Sequence, residues 1–292
     1  MLTAGLVLSL GGAATSARAA GPKRVLVVTT TTGFRHSSIP TAEKVLGELA
    51  AKSGAFTVEY ARVENGDPQF KGADGKPDKT KFEPAIRAVL AEKMSAAALK
   101  KYDGIIFANT TGDLPLPDQK AFLDWIKAGH AFAGMHSATD TYRGHTPPDP
   151  YVEMIGGEFK THEAQVEVEA INQDHDSAAC RHLPATWTVF DEIYQLTSFE
   201  RANVHGLLTL DKHPNNKSPG DYPIAWCKNY GKGRVFYTSL GHREDMWDPN
   251  WKDGKGERKN SAAIAEAYQQ HLLGGIKWAL GLEKGDATPQ TK

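Results

Sequence analysis

The sequence predicts an α/β protein with a mostly parallel sheet and helices on both faces. Three observations lead there. Short, nearly continuous apolar runs recur, as strands covered on both faces require. Segments with helical spacing separate these runs, so the first half alternates strand and helix. Four stretches set a histidine just past an apolar run: Gly33-Phe34-Arg35-His36, Gly134-Met135-His136-Ser137, Phe159-Lys160-Thr161-His162 and Leu240-Gly241-His242-Arg243. Strand ends are where an open α/β sheet keeps its ligand crevice.

Lys23 to Thr29 (KRVLVVT) is the first strand. Thr30 to Ser38 is a polar loop, and Ile39 to Lys52 has helical spacing at Ala42, Val45, Leu46 and Leu49. Phe56 to Val63 alternates as a second strand. Asn65 to Lys81, rich in Gly, Asp, Lys and Pro, is a surface insertion. Its aspartates do not fit a calcium loop. Glu83 to Lys101 is helical, Asp103 to Ala108 is the third strand, and Pro117 to Ala128 is the next helix, with Pro117 near its start. His130 to Met135 is the fourth strand. The second half changes character. Ala164 to Ile171 (AQVEVEAI) alternates strictly, so one of its faces is wet. Thr186 to Leu196, Val204 to Leu210, Pro223 to Cys227 and Arg234 to Leu240 are further strands. Ala262 to Leu280 is a long closing helix, ended by Gly281.

Bulk properties exclude some functions. The 292 residues carry 34 Lys plus Arg against 35 Asp plus Glu, a net charge of −1. This lacks the basic surplus of a nucleic-acid footprint. Leu2 to Ala14 is apolar, and Ser16-Ala17-Arg18-Ala19-Ala20 offers an Ala-x-Ala cleavage site. Residues 1–20 therefore read as a secretory signal peptide, although no Lys or Arg precedes the apolar run. The segment is too short to span a bilayer comfortably. The expected mature chain is one domain, residues 21–292, in the periplasm or secreted. Cys180 and Cys227 could pair there or remain separate buried thiols.

Gly134-Met135-His136-Ser137-Ala138 has the layout of a nucleophile elbow, a tight turn after a strand that projects one side chain into the crevice. The projecting residue is His136, which argues against covalent hydrolase chemistry. His242-Arg243-Glu244 sets a carboxylate near an imidazole that it could orient. Alone, the first motif also reads as a strand-end cap and the second as a surface ion-pair loop.

Six ordered blocks carry a resemblance. They are Gly33-Phe34-Arg35-His36-Ser37-Ser38-Ile39, Gly134 to Ala138, Gly156-Gly157-Glu158-Phe159 followed by His162, Asp191-Glu192-Ile193-Tyr194, Tyr222-Pro223-Ile224-Ala225-Trp226, and Gly233 to His242. Together they resemble the ThuA-like (trehalose utilisation) family from about Lys23 to Leu282. The resemblance implies a flavodoxin-like, class I glutamine amidotransferase-like fold. There His136 matches the elbow cysteine of the amidotransferases, and His242 and Glu244 match their late His-x-Glu pair. With the nucleophile absent, glutaminase chemistry should be absent too.

The family also implies a small carbohydrate partner, with 3-keto-disaccharides or 3-keto-glycosides as substrates. A C3 keto group acidifies the C2 hydrogen, so a site needs a base and a donor or metal for the enolate oxygen. The expected catalytic residues are His136, His242 and Glu244. Arg35, Asp140, Tyr142, Arg143 and Trp247 would contact sugar. His36, His136, His162 and His242 would hold a divalent metal such as zinc. A metal-free histidine pair is the open alternative, and no nucleotide cofactor or membrane span is expected. A lyase or hydrolase is the leading expectation. A non-catalytic carbohydrate-binding protein is the alternative. A peptidase or amidase fits least, because Ser137 stands one residue off the elbow.

Overall fold

A computed structural model describes residues 21–290. The expected signal peptide, residues 1–20, lies outside them. The elements follow in order: β1 (Lys23–Val28), α1 (Ile39–Ser53), β2 (Phe56–Ala61), α2 (Lys79–Met94), α3 (Ala96–Leu99), β3 (Gly104–Ala108), α4 (Gln119–Lys127), β4 (Ala131–Met135), α5 (Pro150–Ile155), β5 (Glu158–Thr161), β6 (Val166–Asn172), β7 (Thr186–Asp191), β8 (Gln195–Thr197), β9 (His205–Lys212), β10 (Pro219–Tyr230), β11 (Gly233–Thr238), α6 (Glu244–Trp247) and α7 (Ala262–Ala279). Most expected elements appear within a few residues of their expected bounds. The single helix expected over Glu83 to Lys101 is two helices that meet at Ser95, whose hydroxyl caps α3 by accepting from the Ala98 amide. The strand expected over Thr186 to Leu196 divides into β7 and β8. Helices α5 and α6 and strand β5 are too short to carry a period.

Nine strands form one sheet in the order β2-β1-β3-β4-β11-β10-β9-β6-β7, and β5 pairs with β8 separately. The pairings from β2 to β11 are parallel. Those from β11 to β7 are antiparallel. The expected mostly parallel sheet thus describes the half that carries the histidine-bearing strand ends. An antiparallel half extends it, where β6 buries Val168 and Ala170 and exposes Glu167 and Glu169.

Helices cover both faces of the parallel half, which explains its continuous apolar runs. In β1, Val25 and Val27 pack with α1, while Leu26 and Val28 face the side holding α2, α4 and α5. The same alternation divides Ile106 from Ile105 and Phe107 in β3. Strand β7 is four places from β11 in the sheet order, so a flat sheet would separate them by roughly 19 Å at about 4.8 Å per strand. Yet the Asp191 carboxylate, at the end of β7, accepts from the Gly241 amide just past β11 at 2.7 Å. The antiparallel half therefore curls back over the strand ends of the parallel half.

Helix α7 contains Gly274 and Gly275 in its interior, where each costs about 1 kcal/mol relative to alanine. Close approach explains them. A Cβ at Gly274 would clash with the Ala178 carbonyl oxygen, and one at Gly275 would meet the Phe236 ring at 2.5 Å. Gly274→Ala should therefore destabilise the fold by about 2 kcal/mol despite its better helix propensity. A lower urea midpoint is the expected result, and an unchanged or higher one would refute the close contact.

His271, also in α7, is fully buried beside Phe236 and Tyr268 and donates from Nδ1 to the Ala179 carbonyl at 2.9 Å. Burial depresses its imidazole from 6.5 to about 4. The unfolded chain binds this proton below pH 6.5 and the folded chain resists it down to about 4, so stability should fall on acidification through that window. His271→Phe keeps an apolar ring and cannot take the proton. Its unfolding free energy should depend less on pH between 6.5 and 4 than that of the native chain.

Candidate metal centre at the strand ends

The loops after β1, β4 and β11 bring three histidines together. His136 follows β4 with φ +47, a left-handed conformation that a histidine rarely adopts. The turn is built to hold it. Gly134 has no Cβ, which would otherwise stand 2.9 Å from Ile155 Cδ1, and the Tyr237 hydroxyl donates to the His136 carbonyl at 2.6 Å. Ser239 fixes the ring itself: His136 Nδ1 lies 2.9 Å from the Ser239 carbonyl oxygen. A carbonyl only accepts, so Nδ1 carries the proton and Nε2 keeps its lone pair.

His36 precedes α1, with its Nε2 3.2 Å from His136 Nε2 and its Nδ1 3.3 Å from the Ser137 hydroxyl. Asn109 Nδ2 ties this loop to that of His242 by donating to Ser38 Oγ at 2.9 Å and to the Gly241 carbonyl at 3.0 Å. His242 Nε2 lies 3.5 Å from Glu192 Oε2, and Glu192 Oε1 is 3.7 Å from His136 Nε2. Ligand atoms of His36, His136, Glu192 and His242 all fall within 4.8 Å of one another. Two imidazole nitrogens on one tetrahedral zinc, each at about 2.0–2.1 Å, stand roughly 3.3 Å apart. The observed pair fits that edge, and two borderline nitrogens with one carboxylate oxygen suit zinc.

Burial sets the charge state. It is the largest cause depressing the His36 imidazole to about 3 and that of His242 to about 4; His242 and His162 add to the first shift, while the Glu244 carboxylate opposes the second and His162 and Arg243 add to it. His136 is lowered well below the usual range by the same causes. All three rings are neutral at pH 7, the form that binds metal. Burial raises Glu192, and the His162 imidazole opposes that shift. The Asp191 carboxyl is raised to about 7, again chiefly by burial.

The other expected site residues divide. His162 is absent from the tight cluster. Its Nδ1 is 3.1 Å from Glu192 Oε2 and 3.0 Å from the Glu163 carbonyl, and its side chain is 42% exposed. The structure places Glu192, not Glu244, against His242. Glu244 opens α6, and no described hydrogen bond joins it to the imidazole. Arg35 is held bidentately by Glu64 at 2.9 and 2.8 Å and donates to the Thr29 carbonyl, so its guanidinium is spent on structure. Tyr142 and Trp247 are core residues rather than sugar contacts. The Tyr142 hydroxyl donates to the Leu114 carbonyl at 2.6 Å, and Trp247 is fully buried with its Nε1 donating to the Gly241 carbonyl. Asp140 and Arg143 form an ion pair, with Arg143 over the Phe159 ring. Burial raises the Asp140 carboxyl to about 6.

Four site residues escaped the sequence reading of roles: Glu192, Tyr194, Gln165 and Phe34. Glu192 and Tyr194 sit in a quoted block, as a carboxylate and a phenol just past a strand, which is the signal that could have found them. The Tyr194 hydroxyl lies 3.3 Å from His136 Nε2. Phe34 is 68% exposed, yet its carbonyl accepts from Thr31 and Thr111, and its ring meets that of His36 edge to face at 4.8 Å. Cys180 and Cys227 are free buried thiols.

Fold and site together define an α/β protein with a buried histidine–carboxylate centre at its strand ends. The chain belongs to the ThuA (trehalose utilisation) family, whose family model matches residues 24–253. It is similar to a solved ThuA-like protein from Bacteroides uniformis ATCC 8492, at 19% identity over 92% of this chain and 95% of that one, with a TM-score of 0.59. A ThuA-like protein from Parabacteroides merdae ATCC 43184 matches at 18% identity over 89% and 90%, TM-score 0.60. A cytoplasmic protein of Salmonella typhimurium LT2 matches at 12% identity over 88% and 99%, TM-score 0.51. At these identities the likeness is one of fold. A search of curated proteins finds no match. No helix among the described residues is long and apolar enough to cross a membrane.

Asp191 anchors the centre by accepting from the Gly241 amide at 2.7 Å and the Glu192 amide at 3.0 Å. Asp191→Ala strands two buried donors and should cost about 2 kcal/mol in urea unfolding. A cost near zero would show that these amides are satisfied elsewhere.

Proposed function

We propose that this chain is an extracytoplasmic enzyme that cleaves a 3-keto-disaccharide or 3-keto-glycoside by metal-assisted lyase or hydrolase chemistry. The observation that carries this reading is the His36–His136 pair at 3.2 Å with Glu192 beside it. The family, trehalose utilisation, supports a disaccharide as the substrate class. The extracytoplasmic placement rests on the signal-like residues 1–20.

In the proposed reaction a base removes the C2 proton, which the C3 keto group has made acidic. The electron pair forms the C1–C2 double bond as the C1–O bond breaks. The departing oxygen takes a proton and leaves as an alcohol, and the other product is a 2-hydroxy-enone. Addition of water to that enone completes a net hydrolysis. A divalent cation such as zinc, held by His36, His136 and Glu192, would act as a Lewis acid toward the keto oxygen.

His162 suits the base. Its Nδ1 faces two acceptors, Glu192 and the Glu163 carbonyl, so its Nε2 keeps the lone pair. Its ring is also the best exposed of the four strand-end histidines. Phe34 and Phe159 offer apolar faces for a sugar, and Asp140 and Arg143 offer polar groups for its hydroxyls. Glutaminase and peptidase chemistry are disfavoured. The elbow residue is His136, and Ser137 is fully buried with its hydroxyl against His36.

The test uses untagged protein, metal analysis and a 3-keto-disaccharide. Bound zinc, turnover that a chelator abolishes, and a loss of about 10²–10⁴-fold in kcat for His162→Ala are expected. Turnover by metal-free protein would overturn the metal, and full activity in His162→Ala would overturn the base. A rise in Tm with the sugar but no product would make the chain a carbohydrate-binding protein instead.

A further inference from the structure

A ring nitrogen of His242 falls within 4.8 Å of the ligand atoms of His36, His136 and Glu192, and as a fourth ligand it would close a tetrahedral site. A closed site is the structural kind, whereas catalytic sites keep a position open. The hydrogen bonds behind its ring decide between the two.

His242 Nδ1 lies 3.0 Å from Gln165 Nε2. The orientation of that amide follows from its other end. Gln165 Oε1 accepts from Arg243 Nη1 at 2.9 Å, and arginine has only donors, so the NH2 group must face His242. Arg243 is itself locked, its Nε and Nη2 on the Asp245 carboxylate at 2.9 and 3.0 Å. Asp245 is fully buried and also accepts from the backbone amides of Lys259 and Asn260 and from Asn260 Nδ2. The chain of donors thus runs from Arg243 through Gln165 to His242 Nδ1, which must accept. A neutral imidazole that accepts at Nδ1 carries its proton on Nε2. An imidazolium has no acceptor nitrogen, so the bond from Gln165 itself requires a neutral ring. His136 shows the opposite arrangement, with the proton on Nδ1 and the lone pair on Nε2.

From this network, and resting on the metal reading above, we infer that His242 is not a metal ligand. It is an N–H donor beside an open coordination position, held in that tautomer by Gln165 as a positioning residue. Glu192 agrees with the assignment. Its Oε2 faces both His162 Nδ1 at 3.1 Å and His242 Nε2 at 3.5 Å, while Oε1 is the oxygen that faces His136. The proposed metal then has three protein ligands, His36, His136 and Glu192. The group that His242 would meet is an oxygen of the bound substrate, the keto or enolate oxygen at C3. A neutral imidazole donates to such an oxygen without first taking up a proton.

The test compares zinc binding by native protein, His136→Ala, His242→Ala and Gln165→Glu. His136→Ala should lose more than about 100-fold in zinc affinity, as removal of a ligand requires, and His242→Ala should stay within about threefold of native. Gln165→Glu is the sharper probe. A carboxylate accepts at Nδ1, which moves the proton there and turns a lone pair on Nε2 toward the metal. That variant should bind zinc more tightly and change the visible spectrum of the cobalt-substituted protein. Equal losses in His136→Ala and His242→Ala would overturn the inference. The ¹⁵N shifts of metal-free native protein give an independent reading, with Nε2–H expected for His242 and Nδ1–H overturning it. If native protein binds no zinc, the metal reading fails, and the ¹⁵N shifts still report the tautomer separately.

Discussion

The structure depends on how it dehydrates imidazoles. Three histidines and a carboxylate sit at the strand ends, where burial makes a charged ring costly. All three rings stay neutral, and a neutral imidazole must have one donor and one acceptor nitrogen. Each ring therefore needs a neighbour that fixes which nitrogen is which. Ser239 does this for His136 with a carbonyl, and Gln165 does it for His242 with an amide. Burial alone would leave the two rings equivalent. Their hydrogen-bond partners leave a lone pair on Nε2 of His136 and a proton on Nε2 of His242.

Both halves of the sheet build the centre. The parallel half supplies His36, His136 and His242 from three strand ends. The antiparallel half and its loops supply Glu192, His162, Tyr194 and Gln165. The curl that returns β7 to the loop after β11 joins these two sets, and the buried Asp191 holds that junction by backbone hydrogen bonds. The strained turn at His136 is held by the Tyr237 hydroxyl on its carbonyl and by the close packing that Gly134, lacking a Cβ, allows.

Much of the scaffold was legible in the sequence. Strands covered on both faces read as apolar runs, and helices such as α1 and α7 are long enough to show their period. Helices α5 and α6 and strand β5 were not legible, since segments of four to six residues outside a continuous apolar run carry no readable period. The site was legible in part. Histidines past apolar runs marked three of the clustered residues, because strand ends converge whatever their separation in the chain. Glu244 lies two residues after His242 and its charge acts on that imidazole, yet the carboxylate oxygen that faces the ring across the cluster belongs to Glu192. Tyr142 and Trp247 looked suited to sugar by side-chain type, but an amphipathic ring serves a core equally well once its polar atom finds a carbonyl.

By itself the sequence determined the alternation of elements, the parallel half and the histidines at its strand ends, because these follow from local apolar pattern and chain topology. Only the tertiary structure decided that Glu192 completes the cluster, that His162 stands outside it, and which nitrogen of each ring holds the proton. These depend on contacts between residues about 50 to 100 positions apart, such as Glu192 with His136 and Gln165 with His242. Such contacts form only when the antiparallel half curls over the parallel one, and no local pattern encodes that curl.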